Sequence, residues 1–193
     1  MQVSFCSKYK FISPDKFFEL TTLDKDAIEV SGLGYGAQSF KRSMAGDKIY
    51  TTYIGSCTAY GLGIEKNADY AALGHYNKDA TAINDLVPNL KENMKKGFII
   101  GGKSTCMKDF FEETFAKYKE NGVTSTIFWG QNRGGTSVCY DPKEDTVYVS
   151  TPTWGEYVDS EESLKSAFDI INIADGDDVY IGDRKVNPLD IMA

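Results

Sequence analysis

Residues 48–64 read KIYTTYIGSCTAYGLGI. Tyr, Thr and Ile dominate positions 49–54, and glycines follow at 55, 61 and 63. β-Branched and aromatic side chains suit a pleated surface, and glycines spaced this closely break a helical period. The segment is confined to short extended pieces. It predicts a strand over 48–54, a tight turn at Gly55-Ser56-Cys57 and a second extended piece to Ile64. A further strand, NADYAALGHYN, carries His75, the single histidine of the chain.

The same preference recurs along the chain, which holds twelve Tyr and eleven Phe. Residues 1–50 read as short strands and turns, with a glycine-rich loop at SGLGYGAQS. GFIIGG reads as a short buried strand. VTSTIFWG, GTSVCYD and TVYVSTP read as three more, the last two joined by the turn DPKED. A short strand near DVYIG closes the list. Helical spacing appears over 79–96, where Ile83, Leu86, Val87, Leu90 and Met94 share a face and Pro88 introduces a kink. A second helix lies in STCMKDFFEETFAKYKENG, capped by Ser104 or Thr105, striped by Phe111, Phe115 and Tyr118, and ended by Gly122. A third is expected at about 160–173. The sum is one α+β domain over 1–193, with mainly antiparallel strands and a few packed helices.

Charge and cysteine usage exclude several functions. The net charge of −7 disfavours nucleic acid and anionic lipid as partners. Lys91, Lys95 and Lys96 cluster, and they read as the solvated face of a helix. No run reaches membrane-span length, and MQVSFCSKYKFISPD lacks the apolar core of a signal peptide. The expected location is the cytoplasm, or outside the cell by a route without a cleaved signal. Cys6, Cys57, Cys106 and Cys139 are too far apart for a zinc ribbon or a disulfide scaffold. Free thiols and no metal site are expected, with Cys106 and Cys139 in the core.

Cys57 and His75 stand eighteen residues apart, the cysteine in the glycine-lined turn. A thiol becomes a strong nucleophile once a neighbouring imidazole takes its proton. An acyl-transfer site also needs amides facing the oxyanion and a third group that fixes the imidazole. Gly55 permits the turn and the close approach of a substrate, and the amides around Ser56, Cys57 and Thr58 are candidate oxyanion donors. Thr51 or Thr52 is placed to orient the histidine, and Gly74 to leave space beside its ring. The bland alternative is a cysteine packed as a small apolar group and a structural histidine.

TTYIGSC followed by AALGH resembles the active-site pattern of the chemoreceptor glutamine deamidases, the CheD family. A threonine upstream of the cysteine, a Gly-Ser-Cys turn and a downstream histidine form the catalytic set there. On this chain the pattern selects Thr51, Cys57 and His75. The catalytic domains of cytotoxic necrotizing factor and related deamidating toxins use a similar cysteine–histidine arrangement. The resemblance implies a β-sandwich flanked by helices. It also implies hydrolysis of a glutamine side-chain amide in a target protein, without metal or organic cofactor, by a toxin, an effector or a chemotaxis-like enzyme. After His75 the chain reads HYNKDATAIND, where chemoreceptor deamidases continue with an apolar segment ending in proline. The substrate is therefore less defined than the chemistry. Another cysteine amidohydrolase or peptidase, and a binding protein with an inert Cys57, are the alternatives.

Three other stretches carry weaker signals. GFIIGGKS matches the formal phosphate-loop pattern, but the residues before Gly97 read as helix and its interior is apolar, so a buried strand running into a capped helix is expected. GQNRGG at 130–135 reads as a hairpin loop, or as a rim loop offering Gln131, Asn132 or Arg133 to a substrate. DGDDVYIGD resembles a calcium loop in composition only.

Overall fold

Side chains alternate across a strand, and burial in this chain follows that period. Tyr9 and Phe11 are buried while Lys8 is exposed in β1 (Lys8–Phe11). The computed structural model describes residues 7–30, 39–44, 46–55, 57–64, 70–76, 95–102, 108–130, 135–151 and 157–192. Helix α1 (Pro14–Thr21) follows β1, and then β2 (Ile28–Glu29), β3 (Ser39–Met44), β4 (Ile49–Ile54), β5 (Thr58–Leu62), β6 (Tyr70–Tyr76) and β7 (Lys96–Gly102). Next come α2 (Lys108–Glu120), β8 (Thr124–Gly130), β9 (Thr136–Asp141) and β10 (Thr146–Ser150). The described chain ends with α3 (Glu161–Ala167), β11 (Asp169–Asn172), β12 (Asp178–Ile181), β13 (Arg184–Val186) and α4 (Pro188–Ile191).

The strands form two sheets, ordered β13-β12-β1-β10-β9-β4-β2 and β11-β8-β7-β5-β6-β3. Most pairings are antiparallel; β1 with β10, β1 with β12, β2 with β4 and β7 with β8 are parallel. Tyr9, Phe11, Ile49, Val138, Tyr140, Val147 and Val149 of the first sheet share one core with Ala59, Leu73, Phe98, Ile100 and Phe128 of the second. Phe128 stands edge-on to Phe11 at 5.2 Å and tilted to Tyr9 at 5.7 Å. Burying each such ring stabilises the fold by about 1.5–3 kcal/mol.

Helices α1 and α2 cover outer faces, whereas Leu164 of α3 and Ile191 of α4 join the inter-sheet core. Phe17 of α1 meets Tyr50 of β4, in a cluster with Ile12 and the buried Cys139. Phe111 of α2 meets Trp129 of β8 at 4.6 Å, and the Tyr118 hydroxyl donates to the Gly61 carbonyl at 2.8 Å. The α+β sandwich with flanking helices is thus what the chain adopts. None of the described helices is long and apolar enough to cross a membrane.

Several local expectations change. α1 stands within a region read as strands and turns, although Ser13 caps it and Pro14 opens it. The third helix ends at Ala167, because the β-branched run at 170–171 pairs as β11 against β8. Gly130 ends a strand of one sheet and Thr136 begins a strand of the other, so GQNRGG is an inter-sheet connection and not a hairpin; Gln131, Asn132 and Arg133 lie outside the described residues. Gly97–Gly102 is strand, paired to β5 and β8, with Phe98, Ile99 and Ile100 fully buried, so its amides are held in ladders and do not cradle a phosphate. Lys96 is no solvated helix residue. It opens β7 and is buried against Asp177 at 2.7 Å. Asp177 also accepts from Thr126 at 2.7 Å and from the Ser7 amide at 3.2 Å, which commits the middle of DGDDVYIGD to a buried ionic network. Cys6, Cys106 and most of the helix expected over 79–96 lie outside the described residues.

Candidate active site

Period two places Ile49 and Thr51 of β4 toward the inter-sheet core, while Tyr50 faces α1. Thr51 is 0% exposed, so its hydroxyl must find partners inside the protein. It has two: the Val30 carbonyl at 2.7 Å and His75 Nδ1 at 2.7 Å. Val30 is held in place because its own amide donates to the Tyr50 carbonyl at 2.7 Å, continuing the parallel pairing of β2 with β4.

The donor count fixes the histidine tautomer. A carbonyl only accepts, so the single Thr51 hydroxyl proton goes to Val30. The threonine oxygen can then only accept from His75, which places the imidazole proton on Nδ1 and leaves a lone pair on Nε2. Burial pushes the His75 pKa below its ordinary value, because the imidazolium loses solvation. Thr51 is neutral, so it orients the ring without holding a positive charge on it. The result is a neutral, oriented base.

His75 lies in β6, opposite Ala59 of β5 and Ser39 of β3. Ala59 is the smallest side chain that keeps a Cβ, and it leaves room for the ring beside it. Cys57 stands two residues before Ala59, immediately ahead of β5. Cys57 is half-buried and packs against the inter-sheet core, toward which His75 also projects to meet Thr51. Cys139, by contrast, is fully buried on the outer face of its sheet, and burial drives its thiol pKa well up.

The turn that carries Cys57 starts from a bulge. The β4–β9 register shifts between Thr51 and Ile54, and Tyr53 adopts φ 57°. Bulges re-aim a chain, and here β4 of one sheet is turned toward β5 of the other. The Gly55 amide donates to the Tyr53 carbonyl at 2.9 Å. That amide is therefore engaged within the turn. Among the described residues, a Cβ at Gly55 would meet nothing within 4 Å, which leaves room for the close approach of a substrate.

Of the expected residues, Thr51 and His75 meet directly, and Cys57 packs against the inter-sheet core. Thr52 is half-buried and is not the histidine's partner. Thr58 is fully buried, with its hydroxyl against Gly101, on the face of β5 away from His75. Only its main chain remains relevant to an oxyanion. Ser56 lies outside the described residues. Gly74 serves a different purpose from the one expected: a Cβ there would stand 2.1 Å from the Tyr60 hydroxyl, so it makes room for Tyr60 and not for the imidazole. Val30 escaped the sequence reading, since a main-chain carbonyl has no side-chain signature.

Among the described residues no group of three or more His, Cys, Asp or Glu could hold a metal ion. No protein-family model matches the chain, and no curated protein matches it either, so the functional reading rests on the site itself.

Proposed function

We propose that the chain is a cysteine hydrolase that converts a glutamine side chain of a target protein to glutamate. One observation carries the reading: Thr51 bridges the Val30 carbonyl and His75 Nδ1, which presents a bare Nε2 on the inter-sheet face that Cys57 shares.

In the reaction, His75 Nε2 takes the Cys57 proton as Sγ attacks the carboxamide carbon. A C–S bond forms, and the C–N bond breaks with its electron pair leaving on nitrogen. His75 returns the proton to the departing ammonia. Water, deprotonated by the same Nε2, then attacks the thioester, and the carboxylate and thiol are released. Thr51 keeps the ring oriented through both steps. The protonated ring exists only transiently, since burial disfavours it.

The test is iodoacetamide labelling of each cysteine, read by peptide mass spectrometry from pH 5 to 9, in wild type and His75→Ala. Cys57 should label far faster than Cys139, and loss of His75 should slow it at least tenfold, within the range of general-base contributions. Equal labelling of Cys57 and Cys139, or indifference to His75, would move the reading to a binding protein with an inert thiol. Ammonia release from a protein substrate such as casein, with a matching mass gain on glutamine, then separates a deamidase from a peptidase.

A further inference from the structure

Tyr53 is an outlier in two respects. Its φ of 57° lies in the left-handed region, which costs a bulky L-residue about 1–2 kcal/mol. Its ring is also 80% exposed, so burial does not offset that cost. The surroundings enforce the conformation. Thr51 and Ile54 on either side are fully buried, and Gly135, itself at φ 83°, lies so close that a Cβ on it would stand 3.3 Å from the Tyr53 Cα. Strain maintained in this way is a device for aiming a side chain. Glycine would satisfy the backbone better, so what the position gains from tyrosine is the ring.

Tyr53 lies two residues before Gly55, where the turn toward Cys57 begins. The Gly55 amide closes onto the Tyr53 carbonyl, and among the described residues a Cβ at Gly55 would meet nothing within 4 Å. An exposed ring thus stands two residues from a glycine with room at its Cβ. Tyrosine gives a large, rigid contact area at low entropic cost, which suits a polypeptide laid across it.

We propose that Tyr53 is a positioning residue for the protein substrate, packing against the peptide that flanks the target glutamine while the carboxamide passes Gly55 to reach Cys57. This rests on the hydrolase reading of the same site.

The experiment uses two alkylating reagents on the full chain. One is iodoacetamide. The other is acetyl-Gly-Xaa-Gly-amide, in which Xaa carries a chloromethyl ketone in place of the glutamine carboxamide; Sγ bonds to its methylene carbon and chloride leaves. Tyr53→Gly should slow Cys57 alkylation by the peptide reagent about tenfold and leave the iodoacetamide rate within about twofold, while Tyr53→Phe keeps both, because the ring does the work. The Tm of Tyr53→Gly should be no lower than wild type, since glycine accepts the left-handed region freely. Unchanged peptide selectivity, or equal slowing with both reagents, overturns the positioning role and leaves the hydrolase reading standing. A Cys57 that reacts with neither reagent in wild type overturns both.

Discussion

Thr51→Val is the most informative single change, because it keeps the shape of a buried side chain and deletes one hydroxyl. The Val30 carbonyl and His75 Nδ1, each 2.7 Å from that oxygen, lose their partner together. A buried polar group left unsatisfied costs about 1–3 kcal/mol, so the two set an upper bound of about 2–6 kcal/mol. The histidine has a way to lower its share. It can move its proton to Nε2, leaving Nδ1 as a bare acceptor, and that is the wrong tautomer for a base acting on Cys57. A hydrogen bond worth about 1.4 kcal/mol holds a tautomer ratio near tenfold, so its removal brings the two forms to comparable populations.

The chain has one histidine, so the imidazole is seen without overlap. Two-bond proton–nitrogen correlation spectra of 15N-labelled protein at pH 8 should show wild-type His75 protonated at Nδ1 and bare at Nε2. Thr51→Val should average or reverse the pattern, lose stability in urea, and slow Cys57 alkylation about tenfold as the oriented base is lost. Thr51→Ser keeps the hydroxyl and should keep the wild-type pattern. A wild-type ring protonated at Nε2, or a Thr51→Val ring with an unchanged pattern, would refute the donor-count argument.

Three other outcomes follow from the geometry. Burial lowers the folded-state pKa of His75, so its contribution to stability is intact above about pH 6.5 and is lost as pH falls from there through the folded value. Urea titrations at pH 7.5 and 5.5 should show wild type losing up to about 1.4 kcal/mol that His75→Gln does not lose. Gly74→Ala should destabilise by about 1–3 kcal/mol through overpacking against Tyr60, whereas Gly55→Ala, with open space at its Cβ, should unfold within about 0.5 kcal/mol of wild type. Asp177→Ala leaves Lys96 buried without its carboxylate and should cost about 3–5 kcal/mol in urea unfolding. Under native conditions its Cys57 alkylation rate should stay at the wild-type value, since Lys96 enters β7 beyond Gly97, the partner of Leu62, at the far end of β5 from Cys57.

What the sequence made legible was local. The strand ending at Ile54, the turn at Gly55 and the strand carrying His75 each have a short-range signature in β-branched residues and glycine, and each stands where expected. The same signature is weaker at Ile170 and Ile171, where the helical pattern expected to about 173 gives way to β11. At Ser13-Pro14-Asp15 a standard helix start was present and was passed over amid strand signals. Lys96 failed for a different reason. A lysine beside another lysine looks solvated, and its burial rests on a carboxylate 81 positions later, that of Asp177.

The candidate site divides along the same line. Cys57 immediately precedes the antiparallel ladder that carries His75, a local relation whose spacing survives in the sequence. Thr51 reaches His75 from the other sheet; composition alone leaves it level with Thr52, the resemblance selects it, and the physical choice is made by which face of β4 meets the core. Val30 is further removed still, since it acts through a carbonyl that any residue would supply. Yet in the proposed reaction that carbonyl decides the chemistry. It takes the threonine proton, which obliges the threonine oxygen to accept, which in turn clears Nε2. A one-residue slip of β4 would turn Thr51 toward α1 and bring Tyr50 or Thr52 inward, undoing the tautomer while leaving every residue of the motif in place. The pairing of β2 with β4 resists that slip, because the Val30 amide bonds to the Tyr50 carbonyl and the Ile28 amide to that of Lys48. A two-residue edge strand that looks expendable thus sets the register on which the base depends.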